Sequence, residues 1–88
     1  MQAGRWYCIE VMLEAGAPAS SQDGAQGVLD WWIDGQEMGP FRNLWLRTVP
    51  GLQVNTLWLS LYHHDGQHSA AGVLYDDVVV STARVGCR

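Results

Sequence analysis

Asp30, Trp32, Asn43, Trp45, Arg47, Trp58, Tyr62 and His64 are the residues of this 88-residue chain whose types and spacing suit a ligand best. Sugars present C–H patches that lie on aromatic rings, and hydroxyls that pair with carboxylate, amide and guanidinium groups. A sheet face of Trp interleaved with Asp, Asn and Arg therefore suits an oligosaccharide or polysaccharide. The same residues also suit a second role, packed beneath another sheet or against a second subunit with the polar members at the rim. The sequence leaves both readings open.

Catalytic arrangements fit less well. Glycosidases place two carboxyl groups about 5 to 9.5 Å apart across the scissile bond. Glu10 and Glu14 share a strand face, but four residues of strand separate them by about 13 Å. Asp30 and Asp34 fail for the same reason, which leaves a cross-strand pair such as Glu10 with Asp30. Lyases of uronic-acid polymers move protons with Tyr or His and neutralise the carboxylate with Arg, Asn or Gln. Tyr62 and His64 fall on one face, about 7 Å apart, and Arg47 and Asn43 share it. No catalytic residue is assigned, and a non-catalytic module is expected.

His63, His64, Asp65 and His68 crowd one connection, but His63 and His64 point to opposite faces of a strand, so a solvated turn is expected there rather than a metal site. Asp76 and Asp77 diverge in the same way, whereas calcium takes six to eight oxygens. No metal or cofactor is expected. Cys8 and Cys87 lie near opposite ends of the chain without metal-ligand spacing. A bridge between them requires Cα atoms within about 7 Å. Two unpaired, partly buried thiols are the favoured reading.

The elements that position these residues read as strands. Glycines and small polar residues separate short runs rich in β-branched and aromatic side chains, and no segment shows a helical period. Strands are expected over 5–14, 27–34, 36–38, 41–48, 53–64 and 73–82, with a loop over 15–26. Asp34-Gly35 marks a two-residue hairpin of the type I′ kind. Val49-Pro50-Gly51 marks a second turn, and Asp65-Gly66 opens a longer connection.

Alternation along these strands separates two faces. One is nearly all core-like: Tyr7, Ile9, Val11 and Leu13, then Leu29, Trp31 and Ile33, then Leu44, Leu46, Leu57, Leu59, Leu61, Val78 and Val80. The other is mixed, and adds Trp6, Glu10, Ser60, Tyr75 and Asp77 to the eight residues above.

Composition narrows the partners. Charged residues are 16% and hydrophobic residues 48%, with five Trp, against about 25% charged in an ordinary soluble domain. The net charge is -4, and every basic residue is Arg. That balance offers no basic stripe for phosphates, so no nucleic-acid partner is expected. No apolar run reaches the length of a membrane span, and nothing after Met1 reads as a signal peptide, so no membrane partner or export signal is expected.

The runs from Arg5 to Glu10, Gly27 to Gly35, Val54 to His63 and Tyr75 to Thr82 together resemble the closing strands of concanavalin A-like polysaccharide-lyase and lectin domains. In that family a W-x-C-x-E strand, an L-W-x-D-G hairpin and a final Y-D-D-V-V-V-S strand occur in this order. The resemblance spans Trp6 to about Gly86. It implies an all-β antiparallel sandwich whose concave sheet is built for glycans. The Tyr-Lys-Gly motif of alginate-lyase-like enzymes and the E-x-D-x-x-E motif of jelly-roll glucanases are missing. A whole jelly roll is about twice as long, with two sheets packed face to face. The single domain over 1–88 is therefore expected to be a partial jelly roll completed by oligomerisation, with a homodimer as the simplest form.

Overall fold

The computed structural model describes residues 2–60 and 72–87. The fold is all-β: the described residues form an antiparallel sheet of four strands, with the three-residue 3-10 turn Gln22–Gly24 as their helical content. The strands are β1 (Ile9–Glu14), β2 (Gly27–Ile33), β3 (Gln36–Glu37) and β4 (Phe41–Leu44).

β2 is the axis of the sheet. It pairs with the whole of β1, from Ile9 opposite Ile33 to Glu14 opposite Val28. β3 and β4 lie along its other edge, β3 beside Trp32 and Ile33 and β4 beside Gly27 and Leu29. They act as one strand interrupted at Met38 to Pro40. Asp30 bridges the interruption: its Oδ1 accepts hydrogen bonds from the backbone N–H of Trp31 at 2.9 Å and of Gly39 at 3.2 Å. Unpaired backbone donors are costly inside a protein, so this carboxylate replaces the missing ladder partner.

The hairpin between β2 and β3 has the geometry its sequence demands. Asp34 and Gly35 both take positive φ, 50° and 83°, as a type I′ turn requires. The Asp34 carboxylate also accepts from Cys8 N–H at 2.9 Å and from Arg5 at 2.8 Å. At the other end of β2, a Cβ on Gly27 would lie 2.5 Å from the Leu44 carbonyl, so only glycine permits β4 to approach.

Several expectations are corrected. β1 begins at Ile9 rather than Arg5, and β4 stops at Leu44 rather than Thr48. Asn43 takes φ 58° and the β2–β4 register shifts between Gly27 and Leu29, so the ladder cannot run on. Residues 53–60 and 73–82 form no strand; the runs have β-forming composition but no ladder neighbour among the described residues. The second half of the final expected strand is broken at Asp77, whose φ is 52°. The Val49-Pro50-Gly51 turn is present, closed by Leu52 N–H to the Val49 carbonyl. Leu61, Tyr62, His63, His64, Asp65, Gly66 and His68 lie outside the described residues.

The core also differs from the pattern. Ile9, Val11 and Leu13 are exposed at 50%, 67% and 46%, and Leu57, Leu59, Val78 and Val80 are exposed too. The buried apolar residues among those described are Ala25 and Val28. Leu29, Trp31 and Ile33 are half-buried, with Trp31 stacked on Phe41 at 5.0 Å. On β1 and β2 the mixed side, with Glu10, Asp30 and Trp32, is thus better covered than the apolar one, while Trp6, Trp45, Trp58 and Tyr75 are exposed. The radius of gyration is 16.0 Å, against about 12 Å for a compact domain of this length. The sheet has one solvent-facing apolar side and no second sheet among the described residues.

Candidate functional site

The residues around Trp32 form the best-connected polar cluster among those described. Trp32 lies in one row across the sheet, with Glu10 of β1 on one side and Glu37 of β3 on the other. Directly opposed side chains have Cβ atoms about 4.5 to 5.5 Å apart, so two carboxylates flank the indole. Asp30 is two residues along β2 on the same face and is 4% exposed.

The end of the chain closes over this row. The Arg84 guanidinium lies 4.4 Å from the centre of the Trp32 ring, within the range of a cation–π contact. It also donates two hydrogen bonds to Glu10, Nε to Oε2 at 2.9 Å and Nη2 to Oε1 at 3.0 Å. A disulfide joins Cys8 to Cys87, with Cα atoms 5.9 Å apart. This corrects the favoured reading of two unpaired thiols; the pairing was hidden because it spans 79 residues. Cys8 Sγ, Cys87 Sγ and a Glu10 oxygen lie within 4.8 Å of one another, but the disulfide occupies both sulfurs.

Two carboxyl groups here behave oppositely. Hydrogen bonding from Arg84 holds Glu10 below the ordinary Glu range, aided by the Arg84 charge and the Gly86 N–H. Glu37 is raised, first because it shares a hydrogen bond with Asp30, then through desolvation and repulsion by Asp30. Arg84 and Arg42 partly counter this rise.

The eight residues singled out from sequence separate into groups. Trp32 and Asp30 share β2 and one face, although Asp30 is largely spent on the strand interruption. Trp45, Asn43 and Arg47 pin the 15–26 loop instead. Trp45 Nε1 donates to the Ala19 carbonyl at 2.9 Å, and the Asn43 carbonyl accepts from Gln22 Nε2. Arg47 donates to the Gly16 carbonyl at 3.1 Å and the Pro50 carbonyl at 2.6 Å. Trp58 is 82% exposed in the non-strand stretch 53–60. Tyr62 and His64 lie outside the described residues.

Glu37 and Arg84 are the residues of the cluster that the sequence reading missed. The hairpin alone could have given Glu37: with Asp34-Gly35 as the two turn residues, Ile33 faces Gln36 and Trp32 faces Glu37. Arg84 carried no such local signal. Compared with known proteins, the chain matches no family model, and no curated protein or solved structure matches it.

Proposed function

We propose that the face around Trp32 is a non-catalytic, lectin-like saccharide-binding surface on a sheet derived from a concanavalin A-like jelly roll. The observation that carries this reading is the row Glu10, Trp32, Glu37, in which an indole sits between carboxylates with Asp30 beside it. An aromatic platform bordered by hydroxyl-binding groups suits a sugar ring. Three carboxyl groups stand there against one guanidinium, which favours neutral glycans over acidic ones. The test is titration of the protein with neutral and acidic oligosaccharides, followed through the indole N–H signals. A Trp32 signal that ignores every sugar at millimolar concentration refutes the reading.

A second reading is favoured by a different observation, the exposure of Ile9, Val11 and Leu13 along β1. These side chains would stabilise a homodimer in which a second copy covers the apolar face, as the partner sheet does in a whole jelly roll. Such a self-associating module needs no ligand. The mixed face is free in that arrangement, so the two readings are compatible.

A further inference from the structure

Arg84 occupies the ring face of Trp32 that a sugar would use, held there by its two hydrogen bonds to Glu10 and by the disulfide three residues further on. The rest of the C-terminal segment joins no strand. Among the described residues its side-chain hydrogen bonds to the body of the protein are those of Arg84 to Glu10 and that of Tyr75 to the Ser60 carbonyl. The Arg84 side chain is 50% exposed and Glu10 13%. The pair is open to water on the Arg84 side, and ordering that long side chain costs entropy. The covalent link at Cys87 removes most of that entropy loss, since it keeps Arg84 within a few residues of Glu10.

We infer that Arg84 to Cys87 is a redox-controlled strap: the Cys8–Cys87 disulfide holds Arg84 over Trp32 and Glu10, and its reduction uncovers both. A dithiol reductant supplies two electrons and two protons. The sulfur–sulfur bond breaks, Cys8 and Cys87 become thiols, and the reductant becomes a disulfide. Cys8 is half-buried and Cys87 is exposed, so the attacking thiolate reaches the Cys87 sulfur. The β1–β2 ladder does not depend on this bond, because six register pairs and the Asp34 contacts hold β1 to the hairpin. In its binding consequence the strap rests on the saccharide reading of the Trp32 face: the oxidised chain is the closed form and the reduced chain the open one.

The experiment compares the oxidised protein, the dithiol-reduced protein, Cys87→Ser and Arg84→Ala. The readouts are the Trp32 indole N–H signal, identified by its loss in Trp32→Phe, and amide exchange in β1 and β2. The expected result is the same shift of the Trp32 signal in all three altered forms, with strand protection kept. An unchanged Trp32 signal on reduction overturns the strap. So does loss of β1–β2 protection on reduction, which would make the disulfide a clamp on the whole sheet. A neutral gluco-oligosaccharide is then added to each form. A sugar response stronger in the three opened forms supports the binding consequence. If Trp32 is uncovered yet no form responds to sugar, the strap stands and the saccharide reading falls. If all forms bind equally with Trp32 unshifted, the saccharide reading stands and the strap falls.

Discussion

Glu10 and Arg84 are 74 residues apart in sequence and meet through two hydrogen bonds of 2.9 and 3.0 Å, one to each carboxylate oxygen. The pair fixes a sign for acid sensitivity. Glu10 is depressed in the folded state, so its stabilising contribution is complete above the ordinary Glu range and is lost as pH falls through the lower folded value. Acidification should release Arg84 from Trp32. Following the Trp32 indole signal from neutral to acidic pH checks this, and a Glu10→Gln protein should show the released signal already at neutral pH.

Glu37 has the opposite sign. Its folded value is raised by Asp30, so at pH between the ordinary and the raised value the folded state holds a proton that the unfolded chain has given up. Its contribution is complete below the ordinary Glu range and disappears as pH rises through the raised value. Glu37→Gln keeps the hydrogen bond without the charge. The β2–β3 hairpin of that variant should lose this pH dependence, measurable as amide protection of Met38, whose N–H donates to the Trp31 carbonyl.

Asp30 should be the costliest polar residue to truncate. It is 4% exposed and accepts from Trp31 and Gly39 N–H. Asp30→Ala leaves these donors without their partner and should destabilise the fold by about 1–3 kcal/mol in denaturant unfolding. A loss below this range would mean that water takes over the interruption between β3 and β4.

Gly27→Ala places a methyl group 2.5 Å from the Leu44 carbonyl and 2.8 Å from a Leu46 side-chain carbon. The β2–β4 pairing must open to admit it, at a cost of about 1–3 kcal/mol. Exchange at the Phe41 and Leu44 amides should rise while β1 stays protected.

The exposed apolar side of β1 predicts association. Burying a side chain such as Ile9, Val11 or Leu13 is worth about 1.5–3 kcal/mol each. Sedimentation equilibrium at micromolar concentration should give a mass above the 9.8 kDa of one chain, and Val11→Glu should return it to the monomer. A wild-type mass of 9.8 kDa would refute the dimer.

What the sequence made legible is what local geometry decides. Asp34-Gly35 determined its own turn, and with it the register of β2 on β3. The run around Val11 alternated cleanly and formed β1. Residues 53–60 and 73–82 show the limit of the same signal, because β-branched composition describes a side-chain surface and says nothing of a ladder partner. Parity along 41–48 failed at Asn43, where a positive φ ends the alternation on which the placement of Trp45 and Arg47 rested. The cluster divides in the same way: Trp32 and Glu37 meet through two turn residues, whereas Arg84 arrives across most of the chain.

The bond between Cys8 and Cys87 makes the intervening polypeptide a covalent ring. A single protease nick at any point of that ring therefore yields no separate pieces. Cleavage in the 15–26 loop, which opens no strand, would leave an oxidised molecule of nearly unchanged mass that divides into two fragments only when the sulfurs part. Circular permutants cut in that loop, with the old ends fused, begin from an arrangement the disulfide has already made.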